Sequence, residues 1–158
     1  MFDKILCLHQ GSELYGSDRS VLRAVESIST TGAVVNAILR SDGDLAPLLS
    51  ATGSIVEFYP YGVLRKQKLK KPLLYTWEIL RAIFFYIGKF RSYDVVYINT
   101  TVMLSALVAA AFYRLSAKKI YCHIREIPDR KSIGFFRFLL VLSGSKFIFN
   151  SVSTRNIF

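Results

Sequence analysis

The chain has 158 residues, 52% of them apolar and 20% charged, which fits one ordered domain with a sizeable core and excludes a disordered chain. No apolar run reaches the ~18 residues that a membrane-spanning helix needs, and Met1-Phe2-Asp3-Lys4 leads into an apolar run without a signal-peptide layout, so a cytoplasmic location is expected. The net charge of +10 is uneven: residues 1–57 carry 4 Lys/Arg against 7 Asp/Glu, and residues 58–158 carry 17 against 4. A basic second half points to an anionic partner, whether lipid surface, nucleic acid or phosphorylated substrate.

Lys4 to Leu8 reads as the first strand. It runs into His9-Gln10-Gly11-Ser12-Glu13-Leu14-Tyr15-Gly16-Ser17-Asp18-Arg19, a loop with two glycines, and then into a helix with Val21, Leu22, Val25 and Ile28 on one face. Ser17 is the expected N-cap, Asp18 sets negative charge in the first turn, and Gly32 follows the helix as its C′ residue. His9 reads as a supporting loop residue. Val34 to Leu39 is the second strand, Asp44 to Ala51 a short helix, and Ile55 to Tyr59 the third strand, closed by Pro60 and Gly62.

Residues 65–71 hold five cations in seven positions, Arg65, Lys66, Lys68, Lys70 and Lys71. They suit either a solvated loop or contact with an anionic membrane, because Tyr59, Tyr61, Trp77, Phe84, Phe85 and Tyr86 flank them. No RNP-like or helix-turn-helix pattern accompanies the run, so nucleic acid is not expected. Pro72 opens the next helix, with Leu73, Trp77, Leu80, Phe84 and Ile87 on one stripe and Ile79, Ile83 and Tyr86 on a second flank.

The fourth strand, Val95 to Ile98, ends in Asn99-Thr100-Thr101, and either threonine is a candidate cap for a helix carrying Leu104, Leu107, Val108 and Ala111. Ala106 and Ala109 to Ala111 predict close packing on a sheet. Lys119 to Cys122 is the fifth strand, ending at His123-Ile124-Arg125-Glu126. A helix from Ile133 to Leu142 leads to the sixth strand, Lys146 to Phe149, and then Asn150-Ser151. Cys7 and Cys122 lie 115 positions apart without ligand spacing, so they read as buried thiols, with no metal site. The chain stops in what reads as the first turn of another helix, so a continuation is expected.

Alternating strands and helices, with several strands apolar throughout, predict an α/β fold: a Rossmann-like parallel sheet with helices on both faces. Ligands bind such sheets outside the carboxyl ends of the strands. Polar residues gather there: His9 and Gln10, Asn99 and Thr100, His123, Arg125 and Glu126, Asn150 and Ser151. Dinucleotide binding is disfavoured, since Gly11 and Gly16 stand five apart with Leu14 and Tyr15 between them and Arg40 ends the second strand. A phosphate-binding loop fails because Ser17-Asp18 stands where Lys-Ser/Thr is needed.

The segment Gln10 to Leu22 resembles the N-terminal signature of family-4 glycosyltransferases with the GT-B fold, a glycine loop followed by a small residue, an acidic residue and an arginine entering the first helix. Tyr93 to Thr101, Lys119 to Pro128 and Phe147 to Ser153 are similar to later segments of that family, in the same order along the whole chain. The resemblance implies that residues 1–158 form the acceptor-side N-terminal domain of a two-domain enzyme, with the C-terminal donor domain absent and activity dependent on it. It implies a nucleotide-sugar donor approached by Gly11, Gly16 and Ser17, and a glycan or lipid-linked acceptor of cell-surface polysaccharide assembly. No cofactor or metal is required. His123 matches a strand-five histidine near the transferred sugar in some members, with Glu126 beside it; a structural histidine and an ion pair of Glu126 with Arg125 or Arg130 remain the competing readings. Asn99, Thr100, Arg125, Asn150 and Ser151 are the remaining contacts expected for donor or acceptor. Docking at the inner face of the plasma membrane is expected through the basic run. The alternative is a non-catalytic Rossmann-like module that binds a membrane or a partner.

Overall fold

In the computed structural model of the protein, which describes residues 4–63, 72–125 and 127–158, strands and helices alternate along the chain. They are β1 (Lys4–His9), α1 (Gly16–Ser29), β2 (Val34–Leu39), α2 (Leu45–Ala51), β3 (Ile55–Phe58), α3 (Pro72–Phe90), β4 (Val95–Ile98), α4 (Leu104–Ala111), β5 (Lys119–Ile124), α5 (Ile133–Ser143), β6 (Lys146–Phe149) and α6 (Val152–Ile157). The strands form one parallel sheet in the order β3-β2-β1-β4-β5-β6. In this doubly wound order the chain reverses direction across the sheet between β1 and β4, and sheets of this kind bind ligands outside the carboxyl ends at that switch point.

Successive strand residues face opposite sides, and each side has its own core. Leu6, Leu8, Val96, Ile98, Cys122 and Ile124 face α3, α4 and α5, packing with Ala82, Tyr86, Phe90, Leu107 and Leu140. Cys7, Val35, Ala37 and Leu39 face α1 and α2, packing with Val21, Val25, Leu45 and Leu49. The small residues of α4 behave as their spacing predicts: Ala106, Ala109 and Ala110 are fully buried, letting the helix backbone lie close to its neighbours.

Three local expectations are corrected. Ser17 is not the cap of α1; extended Tyr15 holds that position, and Asp18 reaches back to the Tyr15 N–H (3.2 Å). An acidic side chain at N3 closing on the N-cap amide satisfies a donor that the helix itself leaves unpaired. Neither Thr100 nor Thr101 caps α4, whose N-cap is Met103; Thr100 Oγ1 instead accepts the Val102 N–H (3.3 Å) within the preceding turn. Gly32, with φ 79°, lies two residues beyond the α1 C-cap Thr30 and not next to it.

Helix α3 carries two apolar faces. Tyr75, Ala82, Tyr86 and Phe90 are buried. The stripe of Leu73, Trp77, Leu80 and Phe84 faces outward, with 88%, 67%, 44% and 71% exposure. The basic run, residues 65–71, lies outside the described residues, as does Glu126. No helix among the described residues is long and apolar enough to cross a membrane.

Candidate functional site

Side chains two positions apart on a strand share a face, and three adjacent strands use this spacing at their carboxyl ends. Cys7 and His9 on β1, Tyr97 on β4 with Asn99 just after it, and Tyr121 and His123 on β5 with Arg125 just after it all lie toward the side covered by α1. His9, Tyr97, Asn99, His123 and Arg125 of this row form one hydrogen-bonded network beneath the first turn of α1.

His9, 2% exposed, lies between two partners: its Nε2 is 2.7 Å from Asp18 Oδ1 and its Nδ1 is 2.9 Å from Asn99 Nδ2. Asn99, fully buried, has its Oδ1 2.9 Å from Arg125 Nε and 3.0 Å from the Tyr97 hydroxyl. Arg125 continues through Nη2 to Ser20 Oγ on α1 (2.7 Å) and to His123 Nδ1 (3.2 Å), which also lies 2.6 Å from the Tyr97 hydroxyl. Burial and the neighbouring Arg125 push the His123 pKa down to about 4, so the ring is neutral near pH 7. Burial likewise lowers His9, against the opposing pull of Asp18. Burial also pushes the Tyr97 phenol up to about 12 and keeps it protonated.

Asp18 gathers the glycine loop from inside. Its Oδ2 accepts the Glu13 and Tyr15 N–H groups (3.0 and 3.2 Å), and its Oδ1 accepts the Ser17 hydroxyl (2.9 Å) as well as His9. Burial opposes its charge, but the bonds from His9 and Ser17 and the Tyr15 N–H outweigh that and hold the carboxyl below its ordinary range. Gly11 sits against this carboxylate: a β-carbon there would lie 2.3 Å from Asp18 Oδ1. Its missing side chain therefore makes room for Asp18, whatever else approaches the loop. At Gly16 a β-carbon would meet nothing within 4 Å. Leu14, at φ 62°, holds the left-handed conformation that side chains avoid, and its carbonyl accepts the Arg19 Nε–H (3.1 Å). A recess of about 270 Å³ opens beside the loop, between Gln10, Ser12, Glu13, Ser17, Arg40 and Ser41. A larger recess of about 750 Å³ beside α2, around Asp42, Pro47 and Phe58, carries none of the candidate residues.

The structure thus brings His123, Arg125 and Asn99 together. Asn99 and Thr100 (1% exposed) are interior and present no side chain to the surface. Asn150 and Ser151 belong to the start of α6: Ser151 Oγ accepts the Thr154 N–H (3.1 Å), while Asn150 Nδ2 donates to the Arg125 carbonyl (3.3 Å). Sequence reasoning missed Asp18, Tyr97 and Ser20 as members of the network. The period-two spacing of Tyr97 with Asn99 was a usable signal; the His9–Asp18 contact spans an irregular loop and had none. Among the described residues no group of three His, Cys, Asp or Glu side chains is gathered to hold a metal.

No family model and no curated protein matches the sequence. Solved structures do match the fold. Anabaena Alr3699/HepE in complex with UDP-glucose is 20% identical with a TM-score of 0.66, over 99% of this chain and 40% of that one. A glycosyltransferase from Rickettsia africae ESF-5 is 13% identical with a TM-score of 0.69, over 98% of this chain and 38% of that one. MurG of Acinetobacter baumannii is 13% identical with a TM-score of 0.58, over 87% and 39%. The chain therefore spans about two fifths of the length of each of these proteins. On these grounds the chain has the Rossmann-like α/β fold of the GT-B glycosyltransferases.

Proposed function

We propose that the chain is the acceptor-side, N-terminal domain of a glycosyltransferase that moves a sugar from a nucleotide-sugar donor to a glycan or lipid-linked acceptor in cell-surface polysaccharide assembly. The observation that carries this reading is the joined row of His9, Asn99, Arg125 and His123 at the switch point of a sheet shared with glycosyltransferases. The UDP-glucose bound to the Anabaena protein supports a nucleotide sugar as the donor class. The domain's contribution is orientation and polar contact at one side of a cleft, with a C-terminal domain or a partner chain closing the other. At the start of α1, Glu13 and Tyr15 turn their N–H groups inward to Asp18. The Gly16 and Ser17 amides, the first two of the helix, are left to meet a diphosphate presented from across the cleft. His123 meets the sugar, and Glu126 is kept as a second catalytic candidate.

Transfer of labelled sugar from a panel of nucleotide sugars to lipid-linked acceptors tests the reading, with this domain joined to its C-terminal half. Transfer with at least one donor is expected, reduced about 10²-fold or more by His123→Ala. Absence of transfer with every donor would refute it and favour the non-catalytic binding module.

The acceptor side is proposed to rest on the anionic inner face of the plasma membrane. The outward stripe of Leu73, Trp77, Leu80 and Phe84 supports this, directly after the basic run in sequence. Trp77 is the chain's one tryptophan and is two-thirds exposed, so its emission reports docking. A blue shift with anionic vesicles is expected, lost when Lys66, Lys68, Lys70 and Lys71 are neutralised. An unshifted spectrum with anionic vesicles would rule the docking out.

A further inference from the structure

One side chain fixes the direction of the hydrogen bonds that run from Arg125 through Asn99 and His9 to Asp18. A guanidinium only donates. Because Arg125 Nε lies 2.9 Å from Asn99, the atom facing it is the amide oxygen, and the amide nitrogen faces His9. That nitrogen donates to His9 Nδ1, so the proton of the neutral His9 ring sits on Nε2, where it meets Asp18 Oδ1. The donors therefore point one way, from the cation of Arg125 through Asn99 and His9 to the carboxylate of Asp18. Such aligned chains polarise and strengthen one another.

The other side of Arg125 acts on His123. Arg125 Nη2 points an N–H at His123 Nδ1 from 3.2 Å, and the Tyr97 hydroxyl faces the same nitrogen from 2.6 Å. Ser20 on α1 holds that Nη2 in place at 2.7 Å. Facing a donor-only cation, this nitrogen serves as the acceptor, while the Tyr97 hydroxyl can give its one proton either to it or to Asn99 Oδ1.

We infer that Arg125 is a positioning residue that holds His123 as the neutral ring protonated on Nε2, so that His123 offers its ligand a hydrogen-bond donor and not a base. For Nε2 to accept a proton from a ligand, the ring proton would have to move to Nδ1 and confront the Arg125 N–H. Loss of a hydrogen bond to a charged donor disfavours that form by about tenfold or more. The ligand atom suited to this ring is thus an oxygen that accepts, such as a sugar hydroxyl oxygen. The ligand's identity rests on the glycosyltransferase reading; the protonation pattern rests on the geometry alone.

The chain's two histidines make the test direct. In the full chain with ¹⁵N-labelled histidine, ring ¹⁵N–¹H correlation spectra at neutral pH are expected to show both rings protonated on Nε2. In Arg125→Met, His123 is expected to become a mixture, its Nδ1–H form rising about tenfold or more. In Tyr97→Phe, which leaves the guanidinium in place, His123 stays on Nε2. A native His123 that is protonated on Nδ1, or doubly protonated, overturns the inference, as does an unchanged tautomer ratio in Arg125→Met. A switch to Nδ1–H in Tyr97→Phe assigns the positioning to the tyrosine and overturns the role of Arg125 as well. If Arg125→Met does not fold, the native and Tyr97→Phe spectra decide. Sugar transfer is read separately: an Nε2–H His123 in a protein that transfers no sugar keeps the positioning role and removes only the ligand.

Discussion

The contact between Gly11 and Asp18 can be tested by exchanging each for alanine, singly and together. In Gly11→Ala the new methyl would lie 2.3 Å from Asp18 Oδ1, a distance that side chains do not tolerate. The carboxylate cannot swing aside cheaply, since His9, Glu13, Tyr15 and Ser17 all donate to it. Forcing loop or carboxylate to shift costs about 2–3 kcal/mol, the range of an overpacked interior. Asp18→Ala removes the acceptor of those four donors. The two loop amides and the serine hydroxyl can turn to water, but the His9 Nε2–H is buried, and the loss is about 3 kcal/mol. If the sites were independent, the double variant would lose about 5–6 kcal/mol. The structure requires less, because the alanine methyl at position 11 then enters the space that the carboxylate left. The double variant is expected to lose about 3 kcal/mol, a coupling of about 2–3 kcal/mol. Urea unfolding followed by circular dichroism measures this, and in thermal melts each kcal/mol appears as about 2–4 °C for a domain of this size. Additive losses would refute the reasoning and assign Gly11 to some other constraint.

Three further outcomes follow from burial and backbone geometry. His123, with its pKa near 4 instead of 6.5, and His9, also lowered, refuse protons that the unfolded chain takes up, so stability should be highest above pH 6.5 and fall steadily toward pH 4; the urea midpoint against pH reports it, and His123→Gln should flatten the slope, whereas an unchanged slope would exclude His123 as a source. Cys7, its thiol pushed up to about 12 by burial, and the equally buried Cys122 should not react with a thiol reagent in the native chain, and both should react once it is unfolded. Gly144 ends α5 at φ 63°, and a β-carbon there would lie 2.6 Å from Arg114 Cγ; Gly144→Ala is expected to cost about 1–3 kcal/mol in thermal or urea unfolding, and a neutral result would show that the turn can relax.

The strands were legible because strands buried on both faces are written as unbroken apolar runs, and their polar ends marked the edge where the site lies. Strand order was not, since nothing in the pattern of β4 says that it pairs with β1 and not with β3. In α3 the spacing was clear, but two apolar faces at helical period do not declare which one meets the sheet; the stripe through Trp77 faces outward. Asn99 illustrates the limit at the site. Its position at a strand end was visible in the sequence, but not that its amide is consumed between His9 and Arg125, because partners 90 and 26 residues away meet only through the sheet. Asp18 was legible as a charge suited to a helix start; its deeper role depends on how residues 10–15 turn, and irregular backbone leaves no period to read.

The inward tie of Asp18 has a consequence for recognition. A flexible loop that closes on its ligand loses roughly 1–2 kcal/mol of backbone freedom per residue at the moment of binding. Here the loop from Gly11 to Ser17 is already drawn around a carboxylate of its own chain, so that ordering is completed during folding and is absent from the binding step. The same arrangement makes the loop unforgiving. A ligand that fits only after the loop moves must first break the three bonds that tie the loop to Asp18, and so this edge of the molecule discriminates chiefly by turning misshapen ligands away.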